Sequence, residues 1–125
     1  MQLYLHSLTC LRPNDETGEW EGGNDQQDEI RLEIGDNSAW NPRNNTHWPG
    51  GGYYDIQLSQ SRSINVQVPF PNSGCLRVVL RDKNERWGGE DYIGQALIGS
   101  WVPTSSNAII NNGCGGCYLL TYSVL

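Results

Sequence analysis

Ile30, Leu32 and Ile34 alternate with Glu29, Arg31 and Glu33, and that two-residue beat recurs along the chain. Leu3 and Leu5 carry it toward Cys10, Tyr54, Ile56 and Leu58 repeat it, and Ile64, Val66, Val68 and Phe70 repeat it again. A period of two sends successive side chains to opposite faces, so these segments read as half-buried β-strands. Leu76–Leu80 is a denser apolar run, as a central strand requires, and Tyr92–Ile98 and Tyr118–Leu125 supply two more strands. Trp40 opens a further short element, followed by a long loop from Asn41 to Gly52. Turn formers close the segments: Gly35-Asp36-Asn37 ends one strand and Pro71-Asn72-Ser73-Gly74 another. Ser105–Asn112 comes nearest to a helix, and Pro103 with Asn111-Asn112-Gly113 confines it to a turn.

Eight short strands without an amphipathic helix predict an all-β fold, an eight-stranded antiparallel β-sandwich. The 125 residues show no linker or repeat and read as a single domain, 1–125. Fourteen acidic against eight basic residues give a net charge of −6, which leaves no basic surplus for nucleic-acid phosphates. No run of apolar residues is long enough for a membrane-spanning helix. The opening Met1-Gln2-Leu3-Tyr4-Leu5-His6 lacks the basic and continuous apolar regions of a signal peptide.

The cysteines are Cys10, Cys75, Cys114 and Cys117. Cys114-Gly-Gly-Cys117 is compatible with a disulfide, a redox pair or half a zinc site, and a structural bridge is the expectation. If that pair is oxidised, an extracellular location is favoured. Cys10 and Cys75 adjoin apolar strands, where a buried thiol is as natural as a bridge.

The concentrated chemistry lies in two polar loops. Residues 12 to 28 hold Asp15, Glu16, Glu19, Glu21, Asp25 and Asp28, and residues 81 to 91 hold Asp82, Asn84, Glu85, Glu90 and Asp91. Carboxylates gathered at one end of a sandwich repel one another unless water or a cation intervenes. Ca²⁺ suits such a cluster, because it accepts several oxygen ligands in flexible geometry.

The stretch Leu76–Asn84 followed by Gly88-Gly89-Glu90-Asp91-Tyr92-Ile93-Gly94 resembles the second half of the calcium site in C2 domains. Leu3–Cys10, Asp15 and Asp28–Ile34 similarly resemble the first calcium loop. The resemblance implies a C2-like sandwich over the whole chain, with Ca²⁺ held by Asp15, Asp28, Asp82, Asn84 and Asp91, and Glu90 as an addition. The sequence departs from the family where Gln27-Asp28-Glu29-Ile30 replaces the usual Ser-Asp-Pro-Tyr. Asn84 also stands where a carboxylate is commoner, and the first loop is longer.

A calcium module of this kind uses its loop end to meet an external ligand or surface. Trp20 and Trp87 in the acidic loops are suited to anchor on a lipid surface. Trp48 and Tyr53, in or beside the loop rich in Asn and Gly, suit the alternative, a lectin-like module stacking on a glycan. Asn44-Asn45-Thr46 is a glycosylation sequon. A third alternative is a small secreted toxin or structural protein that folds around calcium. His6 and His47 have no nucleophile motif beside them, and Gly50-Gly51-Gly52 lacks the lysine of a phosphate loop. No enzyme is expected.

Overall fold

The computed structural model describes residues 1–14, 27–83, 89–101, 103–111 and 115–125. Its strands are β1 (Gln2–Arg12), β2 (Gln27–Asp36), β3 (Thr46–Trp48), β4 (Tyr54–Gln57), β5 (Ser61–Pro69), β6 (Cys75–Lys83), β7 (Glu90–Gly99), β8 (Thr104–Asn111) and β9 (Cys117–Val124). They form two antiparallel sheets, one in the order β5-β1-β9-β8 and the other β3-β2-β6-β7, with β4 also pairing on β2. The chain is thus an all-β, two-sheet sandwich, and no helix is found among the described residues.

The two-residue beat builds the core. Leu3, Leu5, Leu8 and Cys10 on β1 face Ile30, Leu32 and Ile34 on β2 and Leu76, Val78 and Leu80 on β6, within one buried cluster. Burying each such aliphatic side chain contributes about 1.5–3 kcal/mol before conformational entropy is charged against it. Trp48 joins this cluster, opposite Leu32, and packs against Tyr54 with ring centroids 5.1 Å apart.

Nine strands are present among the described residues instead of eight, and the differences have local causes. The segment expected to turn at Ser105–Asn112 is strand β8, paired along its length to β9. Ala108 and Ile110 face inward while Ser105, Asn107 and Ile109 face out, so the alternation runs through polar residues that carry little hydropathic contrast. Trp40 begins no strand; it lies beneath the guanidinium of Arg77, 4.9 Å from its ring centroid. The strand in that region is the three-residue β3, held by its register against Leu32, Glu33 and Ile34.

Candidate functional site

Strand phase decides which acidic residues meet. On β2 the inward positions Ile34, Leu32 and Ile30 continue to Asp28, and on β6 Leu76, Val78 and Leu80 continue to Asp82. Asp82 pairs with Ile30 on one side and Asp91 of β7 on the other. Asp28, Asp82 and Asp91 therefore occupy the inward face at one end of the same sheet. Asp28 and Asp82 are each 1% exposed, whereas Asp91 is half-buried.

Buried carboxylates require hydrogen-bond donors. Asn14, just beyond β1, supplies two: its backbone N–H donates to Asp28 Oδ2 at 2.6 Å and its Nδ2 to Asp82 Oδ2 at 3.5 Å. Its Oδ1 accepts the Gly116 N–H at 3.4 Å, tying in the approach to β9. Glu29 N–H donates to Asp82 Oδ1 at 3.0 Å. From the opposite sheet the fully buried Tyr118 hydroxyl donates to Asp28 Oδ2. Burial first, and then the charge of Asp28, push the Tyr118 phenol far above its ordinary value, so it stays a neutral donor. Cys10, paired with Tyr118 across β1 and β9, has its thiol pushed up to about 11, chiefly by burial.

Glu90 goes elsewhere. One residue out of phase with Asp91, it faces the outer side of the sheet, where Arg31 Nε and Nη2 grip its carboxylate, the latter at 3.1 Å. Tyr53 donates its hydroxyl to Glu90 Oε2 at 2.7 Å, and Arg81 Nε stands 3.9 Å from Oε1, an ion pair too long for a hydrogen bond. Hydrogen bonding from Arg31 is the main reason that the Glu90 carboxyl is held below its ordinary 4.5. The same cluster continues to Glu33, nearly buried, which pairs with Arg81 at 3.5 Å and accepts from Asn45 Nδ2 at 2.8 Å. Arg31 Nη1 donates to His47 Nδ1 at 2.8 Å, which leaves His47 Nε2 to donate to the Pro42 carbonyl at 3.3 Å.

Arg31, His47, Pro49, Tyr53 and Glu90 line a cleft of about 370 Å³ under the glycine loop. Tyr53 is half-buried there, with the Lys83 ammonium 5.9 Å from its ring centroid. Trp48 turns inward and is 7% exposed, so its ring faces core and Tyr54 rather than solvent. Trp20 and Trp87 lie outside the described residues, as do Asp15 and Asn84. Asn14 and Tyr118, which hold the inner aspartates, were not singled out from the sequence. Among the described residues no group of three or more His, Cys, Asp or Glu side chains is placed to hold a metal ion. Cys10, Cys75 and Cys117 are free thiols, and Cys114 lies outside the described residues.

The fold matches a solved structure described as "Structure of a C2 domain", with a TM-score of 0.52 and 14% identity, over 100% of this chain and 99% of that one. At this identity the likeness establishes a C2-like sandwich fold. No protein-family model matches the sequence, and no curated protein matches it.

Proposed function

We propose that this chain is a non-enzymatic C2-like recognition module that binds calcium at the end of the sandwich carrying Asp28, Asp82 and Asp91. The observation that carries this reading is the register: Asp82 and Asp91 are direct cross-strand partners, and Asp28 shares their face. Like charges directly opposite in an antiparallel pair destabilise it, and a dication at that end offsets the repulsion. The donor set fits calcium in kind, because it consists of hard carboxylate oxygens. Asn14, Glu29 and Tyr118 orient Asp28 and Asp82 through hydrogen bonds. Asp15 and Asn84, expected in the same two loops, would complete the ligand set. When bound, calcium would cancel part of the −6 charge and couple the loops to the sheet.

Thermal melts in calcium and in chelator test this. A site formed only by the folded state adds about 2.7 kcal/mol at a hundredfold excess of ion over its dissociation constant. The proposal expects a higher midpoint in calcium, and equal midpoints contradict it. A second reading is favoured by the near-complete burial of Asp28 and Asp82: both act as ties between Asn14, β2 and β9 without metal. That reading expects the two melts to coincide.

A further inference from the structure

We propose that the outer face of the β5-β1-β9-β8 sheet binds a neutral polysaccharide. Three rows of side chains run across the four strands on this face, set by the pairing registers. The first row is Gln67, Tyr4, Ser123 and Ser105. The second is Ser63, Ser7, Thr121 and Asn107. The third, Ser61, Thr9, Leu119 and Ile109, ends in an apolar pair.

None of these positions is charged, although the chain carries fourteen acidic and eight basic residues. No Asp, Glu, Lys or Arg follows Asp91 at all, so β8 and β9 are wholly neutral. Across the whole chain 18% of residues are charged. Beyond the third row Arg12 stands opposite Cys117, but a surface made of these three rows offers no cluster of Lys and Arg, by which phosphates and anionic headgroups are recognised. It complements a ligand that is itself uncharged and rich in hydroxyls.

The chemistry of the face supports that ligand. Hydroxyls and carboxamides both donate and accept, as sugar hydroxyls require of their partners. Their orientations are fixed by bonds within the face: His6 Nε2 and Ser123 Oγ share one at 2.6 Å, and Ser105 and Ser123 share one at 2.9 Å. Thr121 donates to Asn107 Oδ1 at 3.1 Å, and Tyr4 donates to Asn65 Oδ1 at 3.2 Å. Ser123 is itself buried and serves to orient His6 and Ser105, while the half-buried Tyr4 and the exposed Ser105 and Asn107 groups retain capacity for a ligand. Tyr4, and at the far row Leu119 with Ile109 (51% exposed), give apolar surface for the C–H faces of sugar rings. Neighbouring strands are about 4.8 Å apart, which repeats polar groups across the sheet on the scale of one sugar ring. The face belongs to the sheet opposite Asp28, Asp82 and Asp91, so this binding does not depend on the calcium proposal.

Affinity electrophoresis through gels holding laminarin, galactomannan or xylan tests the proposal, with alginate as a charged comparator and each run repeated in chelator. Retardation in at least one neutral gel, retained in chelator, is expected. The double variant Gln67→Glu/Asn107→Asp adds charge at two exposed isosteric positions, and should weaken retardation about tenfold while its melting temperature stays near that of the parent. Unchanged mobility in all three neutral gels overturns the proposal. So does retardation by alginate alone, retardation lost in chelator, or retardation that the double variant keeps in full.

Discussion

The Tyr118 hydroxyl on β9 donates to the Asp28 carboxylate on β2, so one hydrogen bond spans the two sheets between side chains that solvent scarcely reaches. Asp28 also accepts the Asn14 N–H at 2.6 Å, which fixes the chain just beyond β1 to the same point. Tyr118→Phe keeps the ring and removes the donor. The expected loss is about 1–3 kcal/mol, the cost of leaving a buried acceptor without its partner. Urea unfolding measures it; a loss below about 0.5 kcal/mol would show that the bond adds nothing to the joint.

Glu90 is the hub of the outer-face ion cluster, and the direction of its shift sets a pH dependence. Because the folded carboxyl lies below its ordinary 4.5, the stabilisation is fully present above that value. It is lost as pH falls through the folded value. Glu90→Gln cannot lose what it lacks. Melting temperatures at neutral pH and near pH 3 should therefore fall further in the parent than in this variant. Parallel falls would remove Glu90 from the acid response.

The thiols differ by burial. Cys10 is fully buried and its thiol lies up at about 11, whereas Cys75 and Cys117 are half-buried. Thiolate is the reactive form, so brief alkylation of the native protein should label Cys75 and Cys117 before Cys10. Peptide mass spectrometry reads the order. Early labelling of Cys10 would contradict the burial of β1 against β9.

Gly94 on β7 lies against β8, where a Cβ would come within 2.7 Å of the Asn111 carbonyl oxygen and 2.9 Å of Ile110 Cγ2. Gly94→Ala should cost about 1–3 kcal/mol through this clash. Gly51→Ala, where a Cβ meets nothing within 4 Å, serves as the comparison and should leave the melting temperature unchanged. Equal melting temperatures for the two variants would argue against the close approach of β7 to β8.

How much was legible in the sequence follows from what period two can encode. The inward positions Ile30, Leu32 and Ile34 extrapolate directly to Asp28, and Leu76, Val78 and Leu80 to Asp82. The same phase separates Glu90 from Asp91, so the outward turn of Glu90 toward Arg31 was readable in principle. Strand β8 was not, because Thr104, Ser105, Ser106 and Asn107 alternate without changing polarity. The neutral rows of the β5-β1-β9-β8 sheet depend on pairing between distant segments, including the register shift between Leu5 and Ser7. Trp48 was placed by its pairing with Leu32, which turned an aromatic from a polar loop into core.

Calorimetric titration of calcium into chelator-stripped protein tests the central proposal most directly. The parent should give a saturable isotherm, and Asp82→Asn/Asp91→Asn, verified as folded by circular dichroism, should give none. A flat isotherm for the folded parent, or an undiminished one for the double variant, would contradict calcium binding at the end where Asp28, Asp82 and Asp91 share a face.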